Sequence, residues 1–484
     1  MIIAFGGKEM KLSEILKGID VLGSYEEAEI LDVTQDSRLV KKGSLFVCVK
    51  GNTFDGHSVA EEMLEKGAAA VLTQRDLGLE RQVVVSDTRQ IFSSVCANFF
   101  GNPAEKLKLI GLTGTNGKTT TTFLIKQILE QTGRKVGLIG TVQNMIGNEV
   151  FPAKYTTPDP YELQGLFRKM VDAGCEYCVM EVSSQALAQG RVNGLHFLIG
   201  AFTNLTQDHL DYHKTWENYF ESKRILFKNC DIAVTNADDE NGLKIVDGLS
   251  CKVLSYAVNA DNADYCAKNV RFKADGVEYE LVADFIGRVS CPIPGRFSVY
   301  NSLCAASVAL ALGIDYRDVI SAISKSNGVK GRIEVVPTNT DYTVIIDYAH
   351  SPDGLENIIT SLREIAKNRV VTVFGCGGDR DRTKRPKMGK IAAELSDFCV
   401  VTSDNPRSEN PTAIIDDILE GMKNISTPYV VVENRKDAIR WAMENALPDD
   451  IILLAGKGHE TYQILPTGTI HFDEREVIAE ILGK

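Results

Sequence analysis

The residues best placed to do chemistry lie in one run, Gly111-Leu112-Thr113-Gly114-Thr115-Asn116-Gly117-Lys118-Thr119-Thr120. Glycines at this density let backbone N–H groups approach and cradle phosphate oxygens, and a helix starting here adds the positive end of its dipole. Lys118 supplies a point charge for terminal phosphates, and Thr119 offers a hydroxyl to Mg²⁺. The generic phosphate-loop pattern wants a glycine five residues before Gly117, where this chain has Leu112, so the match is imperfect. ATP is the expected nucleotide, since the chain has no Asn-Lys-x-Asp guanine reader.

Such a loop needs a buried strand ahead of it and a helix behind it. Leu107–Leu112 reads as that strand, and Leu124, Ile125, Ile128 and Leu129 share one face of a helix that Gly133 stops. Strands at Val136–Ile139, Glu176–Val182, Leu198–Leu205 and Ile232–Asn236 alternate with amphipathic helices, the pattern of a mostly parallel sheet covered by helices. Ahead of these, Ser44–Val49, Ala68–Leu72 and Val83–Ser86 predict a small α/β unit ending near Gly101-Asn102-Pro103. Beyond Gly331–Pro337, strands at Val344–Asp347, Val370–Phe374, Phe398–Thr402, Tyr429–Val432 and Ile451–Ala455 predict a Rossmann-like, doubly wound domain. The expectation is an α/β protein of three domains, 1–105, a central phosphate-loop ATPase domain with a parallel sheet over 106–332, and the Rossmann-like domain over 333–484. Ligands of such sheets sit beyond the carboxyl ends of the strands. The polar clusters Asp347–His350, Gly375–Arg382, Asp404–Arg407 and Gly456–Glu460 fall there.

Composition narrows the functional classes. The 484 residues carry 53 Lys+Arg against 65 Asp+Glu, a net charge of −12, which argues against wholesale binding to nucleic acid or anionic membrane. The basic run Arg380, Arg382, Lys384, Arg385, Lys387 and Lys390 is interleaved with Asp379 and Asp381 and has no stacking aromatics, so it reads as a substrate-binding loop. Eleven cysteines stand singly, mostly in apolar runs, as small reduced hydrophobes of a cytoplasmic protein. Cys175-x-x-Cys178 has no second pair to complete a zinc site. Met1–Lys17 carries Lys8, Glu9 and Lys11 where a signal peptide needs an apolar core, and no apolar run approaches about 18 residues. Neither secretion nor membrane spanning is expected.

Gly114–Thr120 resembles the nucleotide loop of the Mur ligases, ATP-dependent amide-forming enzymes of peptidoglycan precursor synthesis, and of their folylpolyglutamate synthetase relatives. The resemblance covers essentially the whole chain, through Glu181-Val182-Ser183-Ser184, Thr203-Asn204-Leu205, Asp208-His209-Leu210-Asp211, Asn301, Gly331-Arg332 and Asp347-Tyr348-Ala349-His350-Ser351-Pro352. An ionised carboxylate must be activated before an amine attacks it, most simply as an acyl phosphate, and phosphoryl transfer between anions needs aligned positive charge. The resemblance implies that Lys118, Glu181, His209 and Lys223 serve catalysis. It implies that Gly114, Thr115, Asn116, Gly117, Lys118, Thr119, Thr120, Asn301, Arg332 and Asp347 hold ATP. It also implies Mg²⁺ on Thr119, Glu181, His209 and a carbamylated Lys223 (N6-carboxylysine). Read alone, Lys223 is a solvated helix lysine, Asn301 a helix-starting residue and Arg332 a linker surface residue.

Asp36-Ser37-Arg38, Gly43–Phe46 and Gly51–Gly56 resemble the segment of these ligases that holds the UDP end of a UDP-muramoyl peptide. The implied contacts to UDP-MurNAc-L-Ala-D-Glu are Ser37, Thr156, Thr157, Ser183, Gln189 and Arg191. Asp404-Asn405-Pro406-Arg407 resembles the signature of members that add meso-2,6-diaminopimelate, with Arg380, Asp404, Asn405, Pro406, Arg407, Gly456 and Glu460 as the implied site. An arginine fork reads a distal carboxylate and acidic groups read a distal ammonium. Lysine-adding relatives tend to carry a small residue where Arg407 stands. Competing expectations are an L-lysine-adding ligase, a folylpolyglutamate synthetase, and a nucleotide-driven switch without ligation. A monomer with no nucleic-acid or membrane partner is expected.

Overall fold

Apolar runs of four to six residues, alternating with helices, build three parallel-rich sheets. The computed structural model describes residues 9–51, 54–206, 208–273, 276–326 and 328–483. Lys8, positions 52–53 of the Gly51–Gly56 loop and the Asp211 side chain lie outside the described residues. Compactness separates the described parts of Met1–Tyr256, with Asn262–Asp264 and Cys304–Ile314, from those of Ala257–Asp261, Tyr265–Leu303 and Asp315–Lys484.

In the first unit, Asp32–Thr34, Ser44–Val47, Ala70–Thr73 and Gln82–Val84 form a parallel sheet in chain order. Its two central strands are wholly buried, which is why they read as continuous apolar runs. The helix Thr88–Phe99 packs Phe92, Val95, Cys96 and Phe99 into its core, and the Asp87 carboxylate caps it by accepting from the Arg89 and Gln90 N–H groups. Tyr161, on the helix Pro160–Asp172, ties this sheet to the next one: its hydroxyl donates to Asp32 at 2.6 Å and its ring packs on Phe99 and Phe100.

The larger sheet of this unit runs Val136–Ile139, Tyr177–Glu181, Lys108–Thr113, Phe197–Phe202, Cys230–Asn236 and Lys252–Ala257, all parallel. Antiparallel strands Gln143–Ile146 and Glu149–Pro152 extend its Val136 edge. From Lys108–Thr113 the chain first builds to one side and then to the other, so the phosphate loop leaves the sheet at the switch point where ligands bind. The strand expected over Leu198–Leu205 stops at Phe202, because Thr203-Asn204 turn away to brace that loop. Cys175 and Cys178 sit in the apolar core.

In the second unit the order is Glu334–Val336, Thr343–Asp347, Ile451–Ala455, Val370–Phe374, Phe398–Val401 and Tyr429–Val431, antiparallel only at the first pair. Helices Pro352–Arg363, Lys384–Leu395 and Pro411–Glu420 cover one face, and Arg435–Glu444 and Glu474–Ile481 the other. Tyr265–Lys273, Gly276–Val282 and Ile286–Cys291 pair antiparallel in chain order in the same unit. The basic run does not stay a loop. Lys384 onward is helical, and Arg385 is fully buried between Glu409 and Asp417, so this part of the run is structural.

A second buried ion pair crosses between the two helices of the other face. Arg435 and Glu474 are both fully enclosed, 2.8 Å apart, and Arg435 also donates to the Ala455 carbonyl at the end of the central strand. Removing one partner strands the other charge in the interior. Arg435→Met should cost about 3–5 kcal/mol in equilibrium unfolding of the full chain; a loss under about 1 kcal/mol would remove this pair from the stabilising interactions.

Candidate active site

The phosphate loop is held in shape before any ligand binds. Gly114 has φ +149°, and a Cβ there would stand 1.9 Å from Thr203 Oγ1, so only glycine fits. The Thr115 N–H donates to the Asn204 carbonyl and the Asn116 N–H to Asn204 Oδ1, both at 2.9 Å. The Asn116 carbonyl accepts from Thr203 Oγ1 at 2.6 Å and Asn204 Nδ2 at 3.2 Å. Gly117, at φ +86°, then opens the helix Lys118–Gln131, with Thr119 buried in its first turn. Lys118 Nζ folds back onto the carbonyls of Gly114 at 2.8 Å and Thr115 at 2.9 Å.

The Gly114 carbonyl has a second lysine. Lys223, on the helix Trp216–Lys228, is 2% exposed and donates to it at 2.9 Å. Its Nζ lies 4.6 Å from the centroid of the Tyr219 ring, whose hydroxyl meets Thr115 Oγ1 at 3.0 Å. Burial first, and the Lys118 charge second, push the Lys223 ammonium well below the usual lysine range. A solvated helix lysine would stay protonated near neutral pH, so the surface reading is overturned. A neutral amine is the form that adds to CO₂.

Glu181 ends the neighbouring strand. It is buried, and Oε1 and Oε2 accept from the Thr141 N–H and hydroxyl at 2.9 and 3.0 Å. Gly140 makes the room, since a Cβ there would lie 2.4 Å from Oε1. A threonine hydroxyl, a carboxylate and a lysine carbamate are hard oxygen donors and suit Mg²⁺. Among the described residues no three His, Cys, Asp or Glu side chains cluster closely enough to hold a metal by themselves. Phosphate and water oxygens would therefore complete the shell, as is usual for this ion. His209 is half-exposed, with φ +53°, 3.4 Å from Asp208, and its ring centroid lies 6.4 Å from that of Tyr219.

Thr156, Thr157, Ser183, Gln189 and Arg191 come together beside Glu181. Thr156 Oγ1 bonds Thr141 Oγ1 at 3.0 Å, and Thr157 Oγ1 donates to the Glu181 carbonyl at 2.9 Å and accepts from the Ser183 N–H at 3.0 Å. Arg191 donates to the Thr157 carbonyl and, through two nitrogens, to Gln189 Oε1. Gln189 and Arg191 line a cavity of about 150 Å³ with Gln35, Arg89, Tyr155 and Asp159. Ser37 is not in that lining; it sits in the turn Ser37–Leu39, its carbonyl bonded to Lys66 Nζ at 2.8 Å.

In the second unit, Asp347 ends its strand buried, accepting from the Ile333 and Ala349 N–H groups at 2.9 and 2.8 Å. Burial raises its carboxyl against the opposing pull of Arg332 and these two donors. The Arg332 guanidinium stacks 5.0 Å above the Tyr348 ring, and its Nε is buried without a hydrogen bond. This arginine is no plain linker residue. Asn301 lies buried inside the helix Arg296–Ala311 rather than at its start.

Asp404 and Asn405 are buried at the end of Phe398–Val401. Asn405 Nδ2 donates to Glu460 Oε2 at 2.9 Å, and Gly456 leaves space for Asp404, whose Oδ2 would stand 2.5 Å from a Cβ. Arg407 occupies φ +54° and donates to the Gly378 carbonyl at 2.8 Å. Its loop and that of Arg380 are tied to one buried guanidinium. Arg385 grips both oxygens of Glu409, Glu409 accepts from the Asp379 N–H, and Asp379 accepts from the Ser408 hydroxyl. Arg385 holds the Glu409 carboxyl down to about 2. Arg380 itself is exposed.

Three family models divide the chain. "Mur ligase family, catalytic domain" matches residues 29–98, "Mur ligase middle domain" 112–309, and "Mur ligase, glutamate ligase domain" 331–458. The UDP-N-acetylmuramoyl-L-alanyl-D-glutamate--2,6-diaminopimelate ligase of Clostridium botulinum is 48% identical over 483 residues, spanning 98% of this chain and 99% of the relative. The chain belongs to the Mur ligase family. The enzyme of the same name from Clostridium perfringens is 47% identical at the same coverage. A solved structure of a UDP-N-acetylmuramoyl-L-alanyl-D-glutamate--2,6-diaminopimelate ligase superimposes with a TM-score of 0.73 at 30% identity, covering 98% of this chain and 99% of the other. These likenesses bear out the family and the three-domain α/β architecture.

In this Mur ligase the residues to which sequence reasoning gave no site role are mostly partners of those to which it did. Thr141 orients Glu181, Asn204 and Tyr219 brace the phosphate loop, and Arg385 and Lys457 support the Asp404–Arg407 cluster. The Thr203-Asn204 step leaving an apolar strand was the one available signal. With ¹³C-bicarbonate near neutral pH, wild-type protein should give a carbamate resonance that Lys223→Arg lacks, and that variant should be nearly inactive with no rescue by bicarbonate. Full activity in Lys223→Arg would remove the lysine from the machinery.

Proposed function

We propose that this Mur ligase joins the D-Glu γ-carboxylate of UDP-MurNAc-L-Ala-D-Glu to an amino group of meso-2,6-diaminopimelate, with ATP converted to ADP and phosphate through an acyl phosphate. The observation that carries the amino-acid choice is the turn of buried Asp404 and Asn405, in which Asn405 holds the half-buried Glu460 through its amide and the half-buried Arg407 through its carbonyl, two carboxylates and one guanidinium for an amino acid whose distal end bears both signs of charge. Its relatives over 98% of the chain carry the diaminopimelate-adding name.

The loop amides of Gly114–Thr120 and Lys118 bind the nucleotide phosphates, and Lys118 leaves the loop carbonyls to reach them. Mg²⁺, when bound by Thr119, Glu181, the Lys223 carbamate and a His209-assisted second position, supplies charge that offsets the repulsion between phosphate and carboxylate. Thr156, Thr157, Ser183, Gln189 and Arg191, with Ser37, hold the UDP-linked dipeptide. Arg380, Asp404, Asn405, Pro406, Arg407, Gly456 and Glu460 hold diaminopimelate. Asn301, Arg332 and Asp347 complete nucleotide binding. The domains are 1–105 for the UDP-sugar end, 106–332 for ATP together with the dipeptide contacts from Thr156 to Arg191, and 333–484 for the amino acid together with Asp347, in a monomer. No helix among the described residues is long and apolar enough to cross a membrane. A cytoplasmic setting keeps its eleven free cysteines reduced.

An L-lysine-adding activity is the nearest rival, and Arg407 opposes it. With ATP and UDP-MurNAc-L-Ala-D-Glu, phosphate release should be fast with meso-diaminopimelate and slow with L-lysine or L-ornithine. Arg407→Ala should lose diaminopimelate turnover by about 100-fold while ATP affinity changes less than about threefold, as expected when one charged recognition bond goes. Equal turnover of lysine by the wild type would overturn the substrate, and release with ATP alone would indicate a nucleotide switch.

A further inference from the structure

Lys457 is a lysine that no surface explains. Its side chain is fully enclosed, 0% exposed. A buried ammonium is costly unless every donor is used well. Its Nζ lies 3.1 Å from Asn405 Oδ1 and 3.1 Å from Glu460 Oε2, and 5.9 Å from the ring centroids of both Tyr462 and Phe472. Asn405 closes the ring by donating from Nδ2 to the same Glu460 Oε2 at 2.9 Å. Asn405 Oδ1 also accepts from the Ile464 N–H at 2.9 Å, so the amide faces donors on one side and a carboxylate on the other and has one orientation.

Two consequences follow from this ring. Glu460 Oε2 already receives two donors, whereas Oε1 takes no hydrogen bond among the described residues. The charges also need counting. Asp404 and Glu460 offer two carboxylates to one incoming ammonium, and Arg407 answers the incoming carboxylate. With Arg380 exposed to solvent and Arg435 paired with Glu474, one negative charge would be left over, and Lys457 offsets it at Glu460.

We infer that Lys457 is a positioning residue for amino-acid selection: it commits Glu460 Oε2 and the Asn405 amide, so that Glu460 Oε1 receives the substrate ammonium, and it balances the site for an amino acid whose distal end is zwitterionic. This rests on the diaminopimelate reading. Without Lys457 the cluster gains a net negative charge, which favours a side chain ending in a bare ammonium. Lysine is such a side chain.

The test uses the full chain with ATP, UDP-MurNAc-L-Ala-D-Glu and either meso-diaminopimelate or L-lysine. Lys457→Met should raise KM for diaminopimelate about tenfold or more, leave KM for the other two substrates within about twofold, and lower the kcat/KM preference for diaminopimelate over lysine about tenfold. Adding Lys457→Met to Glu460→Gln should cost little beyond Glu460→Gln alone, because the lysine acts through that carboxylate. A uniform rise in all three KM values with an unchanged preference, or additive losses in the double variant, would overturn the inference. If the wild type consumes no diaminopimelate, the substrate reading itself fails; if it does and Lys457→Met keeps its KM and preference, only the role of Lys457 fails. Should Lys457→Met not fold, a structure of the wild type with diaminopimelate decides: ammonium on Glu460 Oε1 supports the inference, and ammonium displacing Lys457 from Oε2 overturns it.

Discussion

One carbonyl oxygen organises the phosphate site. Gly114 presents it to both Lys118 and Lys223, at 2.8 and 2.9 Å. Two ammonium groups sharing one acceptor inside a protein repel strongly. The arrangement is tolerable because burial takes the proton from Lys223 more readily than from an exposed lysine. Everything nearby keeps that oxygen where it is: Thr203 forbids a side chain at Gly114, Asn204 pins the next two peptides, and Tyr219 reaches from the lysine's own helix to Thr115. The strand, the loop and the helix Trp216–Lys228 therefore form one rigid piece, which is what phosphoryl transfer asks of its donors.

On the proposed function, the second unit meets a different problem by similar means. Recognition of a charged amino acid needs charged groups that are dry and fixed, and dry charges are stable only in company. Arg385, Arg435 and Lys457 are each enclosed, and each holds a carboxylate: Glu409 with Asp417, Glu474, and Glu460. Closely packed backbone makes room for them. Gly331 lies against Gly458 so tightly that a Cβ on it would stand 2.1 Å from the His459 backbone nitrogen, and burial first, then the charges of Arg332, Arg475 and Lys330, push the half-buried His459 imidazole down to about 4.

The parallel strands were legible because both their faces are buried, so apolar runs such as Val370–Phe374 and Ile451–Ala455 mark them directly. The phosphate loop was legible for the same reason, being bracketed by a buried strand and an amphipathic helix. The strands Tyr265–Lys273 and Gly276–Val282 were not, since polar residues interrupt or alternate with the apolar ones along them and leave no continuous apolar run. Lys223 looks solvated in sequence because periodicity assigns every lysine to the polar side; its burial depends on Gly114, over a hundred residues earlier. The basic run from Arg380 shows the converse. Charge composition saw one patch, while helix formation at Lys384 divided it into exposed surface groups and the buried anchor Arg385.

Arg407 holds a left-handed backbone conformation that costs an ordinary side chain about 1–2 kcal/mol and costs glycine almost nothing. The residue proposed as the fork for the substrate's carboxylate is thus also one the backbone would rather not have. A change to glycine at this position would remove that cost, whereas alanine, with its Cβ, would keep it. On the proposed function, the demand for the substrate's carboxylate has to offset a backbone cost that glycine would not carry.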